Sequence, residues 1–87
     1  MIIGKVVGSV VSTRKCGNLV GNKFMIVEPI PSLKVENRIV AIDKIGAGIG
    51  EYVLVAQGSA ARVGCGIPDA PVDAAIVGIL DEGQNLE

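Results

Sequence analysis

RIVAID-KIGAGIGE-YVLVAQ, residues 38–57, is a short apolar run, a glycine-rich connection and a second apolar run. Its ends carry β-branched residues at strand density, Ile39, Val40 and Ile42 before the connection and Val53 and Val55 after it. The middle holds Gly46, Gly48 and Gly50, too many glycines for a regular element. A phosphate-binding glycine loop needs a helix opening at the loop, so that free N–H groups meet the anion. Here EYVLV follows, and the spacing is G-x-G-x-G rather than G-x-G-x-x-G. The stretch therefore joins strand to strand. Its glycines predict a tight turn with positive φ and close approach between chains.

The flanking sequence has the same character. Residues 2–13 (IIGKVVGSVVST) form a long strand in which Ile2, Val6 and Val10 share a row, and Gly4 and Gly8 fall on it, where small residues permit curvature or close backbone approach. Residues 14–22 (RKCGNLVGN) carry turn formers and predict a hairpin loop, and 23–30 (KFMIVEPI) a second strand stopped by Pro29 and Pro31. A polar turn over 32–37 leads to the third strand, 38–43, with the fourth over 52–57. Gly58 to Val63 accommodates one helical turn with Ser59 as N-cap. Residues 64–71 (GCGIPDAP) form a loop, and a short turn at Pro71–Asp73 opens a fifth strand over 74–81 (AAIVGILD). Five short strands with no long amphipathic helix predict an all-β fold, a five-stranded OB-like antiparallel barrel with one or two short helical turns. At 87 residues there is one domain, 1–87.

The apolar content is high for so small a barrel. Hydrophobic residues make up 49% of the chain, nearly all aliphatic, with Phe24 and Tyr52 the only aromatics. The strands at 24–27, 39–42, 53–56 and 75–80 are apolar on both faces, a pattern of sheets covered on both sides. With no helices to cover the outer face, another copy of the chain is expected to do so. Charge is compatible with this. Residues 1–44 hold seven Lys/Arg against three Asp/Glu, net +4; residues 45–87 hold Arg62 against six Asp/Glu, net −5. Such halves pair within one subunit or head to tail between neighbours in a ring.

Other function classes fit poorly. There is no His, so the commonest general base is missing, and no nucleophile has a base beside it; Asp43, Glu51, Asp73 and Asp81 are scattered single carboxylates. The expectation is of no enzyme and no cofactor. Cys16 and Cys65 lie 49 residues apart without zinc spacing and predict reduced, inert thiols, a redox or metal role being the alternative. A net charge of −1 and two aromatics suit neither a polybasic membrane patch nor the stacking, basic groove of a single-strand nucleic-acid module, the main rival use of such a barrel. No stretch resembles a signal peptide or a spanning helix, so the chain is expected to be soluble and cytoplasmic.

Six strings then stand in a recognisable order: VVSTRK (10–15), the L-x-G-x-K of Leu19 to Lys23, AID (41–43), GAGIGE (46–51), GSAAR (58–62) and PVDAAIVGILD (71–81). Together, over nearly the whole chain, they resemble the vertex proteins of bacterial microcompartments, the family shared by carboxysome and ethanolamine-utilisation shells. The resemblance implies an OB-like barrel in a homopentameric ring, a hexamer being the lesser alternative, that occupies the five-fold corners of a polyhedral shell. Hexameric facet shell proteins would be its other partners, and the shell of a bacterial microcompartment its place in the cytoplasm. A sheet of hexagons cannot close without pentagons, so the function would lie in shape. By position, Gly46, Gly48, Gly50 and Glu51 would lie at subunit contacts or near the axis, with Ser59 and Arg62 at or beside the same interface. Asp43 and Asp73 also match the family, without an assignable role. Many relatives continue past the fifth strand with a tail that reaches a neighbour, whereas this sequence runs out at DEGQNLE.

Overall fold

The computed structural model describes residues 1–10, 17, 23–34, 37–64 and 73–81, with Arg62 and Gly64 described in backbone only. The predicted loops at 14–22 and 64–71, apart from Gly17 and Gly64, lie outside the described residues, as do residues 11–13, Cys16 and Cys65. Five strands form: β1 (Ile2–Val10), β2 (Lys23–Pro29), β3 (Ile39–Asp43), β4 (Tyr52–Gln57) and β5 (Ala74–Ile79). A 3-10 turn, Pro31–Leu33, follows β2, and one helix, α1 (Ser59–Gly64), separates β4 from β5. The two prolines that stop β2 act as expected. Pro31 opens the 3-10 turn, and Lys34 closes it in the left-handed region at φ 56. The helix starts at Ser59 itself, and the preceding position, assigned to Ser59 as cap from sequence, is held by Gly58 at φ 65.

The strands close into a barrel in the order β1-β2-β3-β5-β4, with β4 pairing back onto β1. Closure gives every strand a neighbour on both sides. One pairing departs from the expected antiparallel barrel: β3 and β5 run parallel, through Ile42 opposite Ala75 and Asp43 opposite Ile76. Parallel neighbours need a crossover, and the crossover here consists of the glycine-rich connection, β4 and α1.

The interior holds Ile2, Val6, Met25, Val27, Ala41, Val53, Val55, Ala74 and Ile76, with Ala47 from the glycine-rich connection at one end. Val6, Val27, Val53, Val55 and Ile76 are essentially inaccessible, and each such side chain contributes about 1.5–3 kcal/mol of burial. Gly4 lies on the same inward row. A Cβ there would come within 2.6 Å of Val27 Cγ1 and 2.7 Å of the Glu28 carbonyl oxygen, so the β1–β2 crossing admits only glycine.

Beyond Val6 the sequence-based alternation fails. A β-bulge at Val7 leaves Val6 opposite Val27 but Gly8 opposite Ile26, so the rest of β1 reverses its facing. Gly8 and Val10, expected on the Val6 row, therefore lie on the outer surface. A second small cluster sits outside the barrel, where Ile42 and Ala75 are covered by Ala61 of α1, with Phe24 and Val77 against them. The expectation that nothing in the chain covers the outer face is thus corrected: α1 covers one side of it.

Candidate functional site

The outward residues that α1 leaves uncovered form a row across three strands, Gly8 opposite Ile26 opposite Val40. Val40, the second residue of β3, is 52% exposed. A second outward row, on β1, β4 and β5, runs Ile3, Leu54, Gly78. The two rows share β1, at Gly8 and Ile3, five residues apart, and diverge from it in opposite directions, the first over β2 and β3 and the second over β4 and β5. Two distinct apolar faces on one small barrel suit a head-to-tail contact, in which one face of each copy meets the other face of the next.

The glycine-rich connection is more ordered than its composition suggests. Asp43, the last residue of β3 and 3% exposed, turns its carboxylate beneath the connection. Oδ1 accepts the N–H groups of Ile45 at 3.0 Å and Gly46 at 3.1 Å, and Oδ2 accepts that of Ala47 at 2.8 Å. A buried carboxylate is costly unless its oxygens are satisfied, and here backbone donors satisfy both. At the far side, Gly48 donates its N–H to Glu51 Oε1 at 2.6 Å, and Glu51 donates its own to the Gly48 carbonyl at 3.1 Å. The connection is then tied to β1: Gly50 donates to the Val6 carbonyl at 2.8 Å, and Val6 donates to the Glu51 carbonyl at 2.9 Å. Ala47 goes into the core, while Ile45 and Ile49 are left 48% and 67% exposed.

The glycines divide by need. Gly46 (φ 86) and Gly50 (φ 94) occupy the left-handed region. Gly48 does not, and the positive φ expected of it is withdrawn. What restricts Gly48 is the Glu51 carboxylate, 3.2 Å from where a Cβ would stand.

Ser59 and Arg62 lie on α1, with Ser59 exposed and the Arg62 side chain outside the description. Their helix is anchored on Ile42 through Ala61, and the connection is anchored on Asp43. Adjacent residues at the end of β3 thus hold the two candidate segments, one from outside the barrel and one across its mouth. Asp43 is one of the two residues, with Asp73, to which the sequence assigns no role. Its signal was an acid at a strand end followed within four positions by N–H groups of a glycine-rich segment, an Asx-type arrangement.

Elsewhere the described surface offers little chemistry. An open groove of about 280 Å³ runs over Lys5, Glu28, Pro31 and Tyr52, with the Lys5 ammonium 6.0 Å from the centre of the Tyr52 ring. Glu28 is engaged by Arg38 at 3.2 Å in an exposed ion pair. Among the described residues no three His, Cys, Asp or Glu side chains converge as metal ligands.

Residues 1–81 match the family model described as ethanolamine utilisation protein EutN/carboxysome. The carboxysome shell vertex protein CcmL of Synechocystis is 48% identical, the match covering 93% of this chain and 83% of that one. The solved structure of the pentameric microcompartment shell protein GrpN from Rhodospirillum rubrum superposes with a TM-score of 0.81 at 39% identity, covering 99% of this chain and all of that one. CcmL from Nostoc sp. superposes with a TM-score of 0.85 at 43% identity, over 93% of this chain and 89% of that one.

Proposed function

The chain belongs to the EutN/CcmL family of microcompartment shell proteins, and from that premise we propose that it is a vertex subunit, forming a homopentameric ring that closes the five-fold corners of a bacterial microcompartment. The observation that carries the reading is the pair of outward apolar rows on a barrel that superposes on that of a pentameric shell protein. Burying the Ile26–Val40 row of one copy against a different face of the next removes apolar surface that a lone barrel leaves in water. Five such contacts close a ring without leaving an end.

In this reading the subunit performs no reaction and needs no cofactor; its work is to present edges that hexameric facet proteins can meet, within the cytoplasm. The relatives named as shell vertex proteins support the structural role. Gly46, Gly48, Gly50 and Glu51, with Ser59 and Arg62, are proposed to lie at or beside the subunit contact. The rival use of the barrel, stacking single-stranded nucleic acid, lacks its main requirement: Phe24 is packed toward α1, leaving Tyr52 as the one outward aromatic.

Native mass spectrometry of the purified chain at micromolar concentration tests the proposal. The expected species is five times 8.9 kDa. A persistent 8.9 kDa monomer refutes the ring.

A further inference from the structure

We infer that Asp43 is a positioning residue for ring assembly, its carboxylate setting the connection from Lys44 to Gly50 in the shape in which it meets the neighbouring copy. The inference rests on the ring reading above and adds the residue that prepares its contact loop.

The connection spans the mouth of the barrel and holds β3 to β1 and β4. Its two isoleucines face outward, while the alanine between them is buried. Without a fixed backbone, Ile45 and Ile49 would sample inward positions as well, and each encounter between copies would have to order the loop. A loop ordered in advance avoids that entropic cost at assembly. Four hydrogen bonds to carboxylates provide the order, three of them to Asp43 and one to Glu51. The two acids are not equivalent. Glu51 is exposed and binds one amide, whereas Asp43 is buried and binds three in succession. Three consecutive N–H groups turned toward one carboxylate dictate the local path of the chain, including the left-handed turn at Gly46. Residues 45 to 47 are then fixed, and Ile49 follows within two residues, tethered at Gly48 and Gly50.

Asparagine at this position separates the role from mere bulk. It can keep the acceptor for Ile45 and Gly46, but it turns an NH₂ group toward the Ala47 N–H, donor against donor. The experiment compares the parent, Asp43→Asn, Ile49→Ala and the double variant. Native mass spectrometry over a dilution series gives the concentration at which half the chain is in rings, and hydrogen exchange gives the protection of the Ile45–Ala47 and barrel amides. Asp43→Asn is expected to raise the half-assembly concentration about tenfold or more, with protection lost at Ile45–Ala47 and kept at Val27 and Val55. Ile49→Ala should weaken the ring with loop protection intact. In the double variant the two effects should fall short of their product, because Asp43 acts through the placement of Ile49.

A parent that is monomeric refutes the ring itself. A pentameric parent whose Asp43→Asn variant assembles as tightly, or whose double variant shows fully multiplicative effects, overturns the inference alone. If Asp43→Asn does not fold, Gly46→Ala takes its place, since it strains the φ 86 turn where no atom lies within 4 Å of the added Cβ. Unchanged assembly of that variant likewise overturns the inference.

Discussion

Replacing Gly4 by alanine inserts a methyl group where β1 crosses β2. The new Cβ would stand 2.6 Å from Val27 Cγ1 and 2.7 Å from the Glu28 carbonyl oxygen. Neither neighbour can give way cheaply. Val27 is fully buried and stiff about χ1, and the oxygen belongs to the backbone of the paired strand. The strands must part, and overpacking of this kind costs about 1–3 kcal/mol, with a backbone clash toward the upper end. Gly8, four residues along the same strand, supplies the control. Its Cβ would meet only Ile26 Cδ1, at an ordinary 3.5 Å, because the bulge at Val7 has turned it outward. Alanine there removes the strand-interior glycine penalty and gains about 0.5–1 kcal/mol. The two variants should therefore differ by about 3 kcal/mol, which for a urea dependence near 1 kcal/mol/M separates their midpoints by about 3 M. Urea titrations followed by far-ultraviolet circular dichroism, at one fixed protein concentration because assembly adds stability, measure the difference. Midpoints for Gly4→Ala and Gly8→Ala within about 0.5 M of each other would refute both the register and the bulge.

Two further outcomes follow from the surface. Val40→Asp places a charge at the exposed end of the outward Ile26–Val40 row; the barrel should lose less than about 1 kcal/mol while ring formation collapses, read by sedimentation velocity beside a urea midpoint. Gly48→Val should cost about 1 kcal/mol through the displaced Glu51 carboxylate, less than Gly46→Val or Gly50→Val, where a β-branched residue must take a positive φ at about 1–3 kcal/mol. An equal loss at all three glycines, in the same urea assay, would contradict the conformations assigned to them.

The strands were legible in the sequence because each carries β-branched residues between glycine, proline or polar stops. The second, third and fifth agree to within one or two residues at their ends, and the fourth, Tyr52–Gln57, agrees at both. Facing was less legible. Alternation assigns rows only while the register is unbroken, and the bulge at Val7 involves no residue type that announces it. The parallel pairing of β3 with β5 was equally silent, since Ile42, Ala75 and Ile76 would suit either direction. Small residues concealed the role of α1 as a cover: Ala61 seals Ile42 and Ala75 with one methyl group, a contact that carries no periodic signal in six residues. Among the candidate site residues, the glycine cluster stood out by composition. Its organiser did not, because a lone aspartate at a strand end looks like any solvated acid until its three amide partners are placed.

The barrel is stoppered. Ala47 plugs one mouth, and the lumen behind it is solid with Val6, Val27, Val53, Val55 and Ile76. The described residues leave no passage along the barrel axis, so a solute crossing a shell at such subunits would be expected to slip between copies rather than through one. Permeability then becomes a property of the seams, adjustable by residues on outward loops and indifferent to the aliphatic filling that keeps each barrel upright.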